Sequence, residues 1–264
     1  MKKDYITTLN DQDQDQTEFI EQYWENIWQE QGGVQKSDTR ISRREEYRIM
    51  ASFLRLLPEN ARLLDGGCGR GEWTIHFARS GYAVLGMDIV SATIESLQEL
   101  FPDVDFMVGD IRNTGLESGS FDGVFSWGVF EHFEEGMQPC IREAYRLLKP
   151  GGFLFLSVPH DNLRHALRSV RDCKSADLNE DNMRFYQWRF TKKELSIELR
   201  LGGFDVLEVR RICKRQGILR SLYHEFGLHY DWFVTKGLSL VLQPFVPAWL
   251  VAHMVLGVAK KPDI

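Results

Sequence analysis

One stretch constrains this chain more than any other: an apolar run that ends in an acid and then meets four glycines within six positions. It reads Leu63-Leu64-Asp65-Gly66-Gly67-Cys68-Gly69-Arg70-Gly71, followed by Glu72-Trp73-Thr74-Ile75-His76-Phe77-Ala78. The pattern predicts a strand, a tight turn and the start of a helix. Glycine has no Cβ, so the backbone can bend sharply there and a ligand can come close to it. Two phosphate-binding turns share this logic, and the spacing argues against both. No Gly-Lys-Ser/Thr closes the turn, and the third glycine of a G-x-G-x-x-G counted from Gly67 falls on Glu72. What stands is Asp-x-Gly-x-Gly-x-Gly, from Asp65 to Gly71. A carboxylate at the head of the turn suits a ligand carrying positive charge and is wrong for a pyrophosphate.

Two more acids follow at matching places. A second strand is expected over 83–88, and Asp88 ends it roughly 20 residues past the glycine turn, where an acid can take ribose hydroxyls. Ile89 beside it would lie against an adenine ring. The rival reading makes Asp88 the cap of a helix over 91–101, a job for which Ser91 is better suited. A third strand over 104–108 leads into Gly109-Asp110-Ile111. Asp65, Asp88 and Asp110 thus fall at three successive strand ends, on the edge where open α/β sheets bind ligands.

This arrangement resembles motif I and the acids that follow it in the class I S-adenosylmethionine-dependent methyltransferases, of the small-molecule, methyltransferase-11-like type. The resemblance runs through residues 60–160 and returns near 186–212 and 252–262. It implies an α/β fold, a Rossmann-like doubly wound seven-stranded sheet with order 3-2-1-4-5-7-6, an antiparallel last strand and flanking helices. It implies S-adenosyl-L-methionine as cofactor. Asp65 with the backbone of Gly66, Gly67, Cys68, Gly69 and Gly71 would hold its amino-acid end, Asp88 the ribose, and Asp110 the adenine amino group, with Ile111 stacked on the ring.

The fourth strand and its exit read Phe121 to Phe133. Ser126 and Trp127 would sit beside the methionine part of the cofactor. Amide and adenine N-methyltransferases carry Asn/Asp-Pro-Pro-aromatic here; Ser-Trp-Gly-Val stands instead, which argues against nucleobase amines as acceptors. Glu131-His132 matches a Glu-His pair found in many small-molecule members, quinone-pathway O-methyltransferases among them. His132 is a candidate general base, since imidazole titrates near neutral pH, and equally a candidate helix-start histidine bonded to the backbone. His160, at the exit of the fifth strand, is a second base candidate. No spacing of further acids suggests a metal, and none is assigned. The Leu148-Lys149-Pro150-Gly151-Gly152 turn is a structural signature of the family without chemistry of its own.

The expected organisation is an amino-terminal helical extension (1–58) and a methyltransferase domain (59–264) with a lid insert at 159–190 and an apolar helical insert at 213–252. In the extension, residues 10–16 form a polar, solvated tract. Phe19, Ile20, Tyr23, Trp24, Ile27 and Trp28 recur at helical spacing, and a second helix is expected over 42–57. Such an aromatic stripe is usually core; the sharper reading makes it a cover for the cofactor pocket. The lid offers mixed charges and Phe185, Tyr186 and Trp188, either as pocket lining or as core caps. Thr191 and Glu194 have capping-box spacing. From 237 to 259 there is no Asp, Glu, Lys or Arg. That length could span a bilayer, but Gln243, Pro244, Pro247 and the strand-like last third favour apolar helices that cover the site or lie on a membrane surface. A helical hairpin packed on the core or on a second subunit is the equal alternative.

Charge and cysteines bound the partners. The chain has 264 residues, a net charge of −6 and no long Lys/Arg cluster, which disfavours nucleic acid. Cys68, Cys140, Cys173 and Cys213 lack C-x-x-C spacing and read as reduced thiols. Met1-Lys2-Lys3-Asp4-Tyr5 has no apolar secretory segment. A cytoplasmic protein is expected, with peripheral membrane association and oligomeric state left open. The expected activity is methyl transfer from S-adenosylmethionine to a small-molecule acceptor, at oxygen, with an apolar or lipid-linked metabolite in view. Two other classes stay open: a nicotinamide-dependent oxidoreductase, on fold alone, and a non-catalytic S-adenosylmethionine-binding protein.

Overall fold

A computed structural model of the chain describes residues 1–7, 15–30, 32–34, 41–163, 165 and 183–263. Cys173, the lid's charged residues from 164 to 181 and most of the polar tract at 10–16 lie outside the described residues.

The chain opens with strand β1 (Lys2–Thr7) and helices α1 (Gln16–Glu30) and α2 (Glu45–Leu54). Then come β2 (Arg62–Gly66), α3 (Glu72–Arg79), β3 (Ala83–Asp88), α4 (Ser91–Leu100), β4 (Asp105–Val108) and β5 (Phe121–Trp127). Helix α5 (Gln138–Leu147) leads into the long β6 (Leu148–Pro159). After the lid segment come β7 (Met183–Arg189), α6 (Lys192–Leu201) and β8 (Asp205–Ile212). The apolar insert forms α7 (Lys214–Phe226), α8 (Phe233–Leu242) and the short α9 (Ala248–Val251), and β9 (Met254–Lys260) closes the fold.

Seven strands form one sheet in the order β4-β3-β2-β5-β6-β9-β8. Counting only these strands along the chain, the order is 3-2-1-4-5-7-6. The first five run parallel, and β9 is antiparallel to both of its neighbours. Strand alternation explains the two-sided core. Leu64, Val124, Leu154 and Leu156 face α5 and α6, with Ile141, Leu147, Leu195 and Leu199 against them. Their chain neighbours Leu63, Phe125, Phe153 and Phe155 face the other way, onto Met50, Leu54, Trp73 and Phe77. Strands apolar on both faces are what a helix-covered parallel sheet requires.

Four expectations need correction. The extension is not wholly helical: β1 pairs antiparallel with β7 in a separate two-stranded ribbon. The helix expected over 42–57 is a single turn (Ile41–Arg43) followed by α2, which stops at Leu54. Strand β6 begins at Leu148, so the Lys-Pro-Gly-Gly stretch belongs to its pairing with β5 across a register shift. Ser91 does not cap α4; it is the first helical residue, and the amide before it, that of Val90, is bonded by Asp88. The Thr191–Glu194 capping box is present at α6, each residue bonding the other's backbone amide.

Candidate functional site

The parallel strands all deliver their carboxyl ends to one edge, and a cavity of about 340 Å³ lies there. Its floor is the glycine turn. Gly67 and Cys68 both donate to the Met87 carbonyl, at 2.8 and 2.9 Å, which draws the turn across the end of β3. Gly67 (φ +85°) and Gly69 (φ +49°) adopt the left-handed backbone that glycine takes at little cost. A Cβ on Gly69 would stand 2.9 Å from the Trp28 indole, and one on Gly67 would collide with Val129. The turn is therefore glycine both for its bend and for the side chains laid over it.

Three acids converge on this cavity. Asp65 is 2 % exposed and accepts from the Thr74 hydroxyl at 2.7 Å, a partner supplied by the first turn of α3. Burial raises its pKa to about 7, and the nearby Asp88 charge adds to the rise. Asp88 accepts from the Gly69 amide at 2.7 Å and from the Val90 amide at 3.1 Å, so it ties the turn to the end of β3. Burial pushes its carboxyl up as well, against the pull of those amides. Asp110 is gripped by Arg112, whose Nη2 and Nε donate at 2.6 and 2.9 Å. Arg112 also donates to Thr17 on α1 and to Glu135, and stacks 4.5 Å above the Phe133 ring. The guanidinium thereby fastens α1 to the cavity wall.

Of the other anticipated residues, Gly67, Cys68, Gly69, Ile89, Ile111, Trp127 and His132 also line the cavity. Five do not. Gly66 lies under the Ile111 side chain, and Gly71 is wedged against Leu97 and Phe106 at the start of α3. The Ser126 hydroxyl is fully buried and donates to the Gly66 carbonyl at 2.6 Å, clasping β5 to β2. Glu131 sits behind His132. His160 is the clearest departure: it is buried away from the cavity with both ring nitrogens engaged, Nδ1 at the Ala252 carbonyl and Nε2 receiving Arg211 at 3.2 Å. An imidazole occupied on both sides fastens β6 to the chain entering β9 and has no lone pair to offer.

His132 is held differently. Its Nδ1 is 2.7 Å from the Tyr186 carbonyl, which can only accept, so Nδ1 carries the proton and Nε2 keeps its lone pair. Trp24 and Tyr186 pack on the ring at 5.2 and 5.0 Å. Burial lowers the imidazole pKa to about 4. Nε2 is 3.9 Å from Glu131 Oε1. Glu131 is 1 % exposed, its Oε2 has no hydrogen-bond partner, and burial raises its pKa to about 8. At neutral pH both members of the pair are uncharged.

Several lining residues had weak signals in the sequence. Trp24 and Trp28 stack at 5.1 Å and, with Ile20, turn the aromatic stripe of α1 toward the cavity. Arg44 bridges to Glu72 at 2.5 Å across the cavity mouth. The indole nitrogens of Trp28 and Trp127 are buried without partners. Nothing in a one-dimensional pattern distinguishes these from core aromatics and surface ion pairs.

Residues 64–156 match a family model described as a methyltransferase domain. A probable S-adenosylmethionine-dependent methyltransferase of Mycolicibacterium smegmatis is 32 % identical over 59 % of this chain and 56 % of its own length. A ubiquinone biosynthesis O-methyltransferase of Xanthomonas axonopodis pv. citri is 36 % identical over 50 % of this chain and 56 % of its own. The matched part of the chain thus spans little more than half the length of these relatives. Among solved structures, the 1,6-didemethyltoxoflavin-N1-methyltransferase of Burkholderia thailandensis, crystallised with its substrate and S-adenosylhomocysteine, superposes with a TM-score of 0.61. That likeness is 18 % identical, covers 99 % of this chain and 96 % of the other, and is one of fold.

Proposed function

We propose that this chain, whose residues 64–156 are a methyltransferase domain of the class I S-adenosylmethionine-dependent family, methylates a small, largely apolar acceptor at an oxygen atom. The observation that carries the reading is the pair of buried carboxylates, Asp65 and Asp88, facing one cavity beside a glycine turn. Asp65, at the turn's head, would meet the ammonium of the cofactor's amino-acid end, a partner that favours its ionised form. Asp88 has acceptor capacity left beyond its two amide bonds, and takes the ribose hydroxyls. Ile89 and Ile111, both at the cavity, would meet the adenine, and Asp110 would accept from its amino group while Arg112 holds the carboxylate in place. Glu72, at the helix start where a pyrophosphate would need to sit, speaks against a nicotinamide dinucleotide.

Bound S-adenosylmethionine supplies a methyl group already activated by the sulfonium. The protein's part is to align the acceptor and exclude water, which can lower a barrier by roughly 7–11 kcal/mol. Trp24, Trp28, Trp127, Val129 and Phe133 make a wall suited to an apolar ring or chain. His132 Nε2 would take the proton of the acceptor hydroxyl as that oxygen is methylated. Glu131 Oε1, 3.9 Å from Nε2, would face the positive charge so formed.

Titration calorimetry with S-adenosylhomocysteine and with NAD tests the cofactor assignment. S-adenosylhomocysteine should bind and NAD should not; the reverse would overturn it. Incubation with methyl-labelled S-adenosylmethionine and a panel of phenolic, amine and lipid-linked hydroxyl acceptors tests the rest. Label recovered on nitrogen or carbon alone would refute O-methylation.

A further inference from the structure

Helix α8 is built inside out. Its inward side carries the hydroxyl residues Thr235 and Ser239, both fully buried, with Leu238 and Leu242 beside them. Its outward side carries Phe233 (85 % exposed), Val234, Leu240 and Val241, and Phe245 (78 %) continues the stripe in the following turn. Phe233 and Leu240, like Val234 and Val241, stand seven residues apart, two helical turns, so they share one face. Phe226 (73 %), at the end of α7, and the half-exposed Trp232 and Trp249 extend it. A helix meant for water would present the threonine and serine outward. Large apolar side chains concentrated on one surface mark a place where something docks.

The surrounding chemistry says what. From 237 to 259 there is no charged side chain, and no helix among the described residues is long and apolar enough to cross a membrane. Ahead of that run, over 214–236, stand Lys214, Arg215, Arg220 and Lys236 against only Glu225 and Asp231. That is a local excess of two positive charges in a chain of net charge −6. An anionic surface therefore attracts this segment more than the rest of the chain, which orients the molecule. Trp232 and Trp249, apolar rings with one polar edge, flank the stripe as such rings do at the boundary between headgroups and acyl chains. An apolar face with aromatic flanks, in a segment with more basic than acidic residues, belongs to helices that lie in the interface plane.

We propose that the face formed by Phe226, Phe233, Leu240, Val241, Phe245 and Trp249 docks the protein on an anionic lipid bilayer. Ile218 and Leu222 of α7 cluster with Val251 of α9, which leads into β9. A molecule docked on this face suits an amphiphilic acceptor taken from the lipid surface. That last step rests on the methyltransferase reading; the docking does not.

Co-sedimentation tests it, with vesicles of phosphatidylcholine and phosphatidylglycerol in equal parts against vesicles of phosphatidylcholine alone. The full chain should pellet with the anionic vesicles and be released by salt. The triple variant Phe233→Ser, Leu240→Ser, Phe245→Ser alters only exposed side chains. It should lose vesicle recovery by at least about ten-fold, given what burying such side chains contributes, while its circular dichroism and S-adenosylhomocysteine affinity stay unchanged. Three outcomes would overturn the proposal: wild type left in the supernatant, the triple variant pelleting as well as wild type, or a dimer in analytical ultracentrifugation that the same three substitutions abolish. If wild type pellets but S-adenosylhomocysteine does not bind, the functional reading fails and the docking stands.

Discussion

At the scale of single residues the site is governed by burial acting on charge. Asp65 has a carboxyl raised to about 7 because water cannot reach it. A cation placed against it favours the ionised form, so below that pKa ligand binding must expel a proton. The affinity for S-adenosylhomocysteine should therefore rise as pH goes from about 6 to about 7.5, with a binding enthalpy that depends on the buffer's heat of ionisation. Asp65→Asn keeps the shape and removes the charge; it should weaken binding about 10- to 100-fold, the worth of a charged hydrogen bond, and flatten the pH dependence. A wild-type affinity that does not vary with pH would show that Asp65 carries no charge next to the ligand. His132 obeys the opposite sign. Its imidazole, lowered to about 4, is already neutral across the working range. Hence kcat should show no histidine titration between about pH 6 and 7, and His132→Gln should slow turnover roughly 10²–10⁴-fold while leaving cofactor affinity within about two-fold. A histidine-like inflection near neutrality that disappears in the variant would mean the ring is wet and the burial argument wrong.

At the scale of elements, the ribbon of β1 and β7 matters most, because β7 supplies the carbonyl that fixes the His132 tautomer. A two-stranded ribbon is marginal by itself, and side chains secure this one. Asp4 takes bonds from Gln187 and Arg189, Lys2 reaches Asp161, and the Tyr5 ring meets Phe185 edge-on. Removing residues 2–7 should leave S-adenosylhomocysteine binding intact, speed amide exchange across 183–189 and reduce kcat about 10²-fold, the cost of a small misplacement of a reacting group. Unchanged turnover in a truncated chain whose β7 amides do exchange faster would disconnect the ribbon from chemistry. None of this was readable beforehand. Lys2–Thr7 is mostly polar, and its partner lies about 180 residues away, so neither periodicity nor local turn chemistry links them. The central sheet was readable for the converse reason: each parallel strand is a short apolar run, α3 starts at Gly71 and stops before Gly81, and most consecutive parallel strands sit side by side. The acids at the strand ends were readable because the topology dictates which edge they reach. The Arg112 grip on Asp110, the turn of α1's tryptophans toward the cavity and the outward face of α8 were not, since composition records how many apolar side chains a helix has and not which way they point.

For the whole molecule the site is a source of instability that its ligand relieves. Asp65 and Glu131, at about 7 and about 8, hold protons in the folded state that the unfolded chain has released by about pH 5, and Asp88 is raised in the same direction. The stability linked to these groups is present below the unfolded carboxyl pKa and declines as pH rises toward 8. His132, lowered by burial, adds an opposing loss as pH falls from about 6.5 to about 4. A ligand cation at Asp65 cancels the largest part of the alkaline decline in its own half of the site. At about 100 times Kd, S-adenosylhomocysteine should add about 2.7 kcal/mol, which for a chain of this size raises Tm by about 5–10 °C. At a fixed ligand concentration the rise should be greater at pH 8 than at pH 6. Asp65→Asn separates this account from ordinary damage, because it predicts two changes of opposite sign in one protein. Without ligand the variant should melt higher than wild type at pH 8, having no buried charge to create, and at the same ligand concentration it should gain at most about half of what wild type gains. A variant less stable than wild type at pH 8 would mean that the carboxylate is compensated within the fold itself, and the turn would then be a structural device that happens to end in an acid.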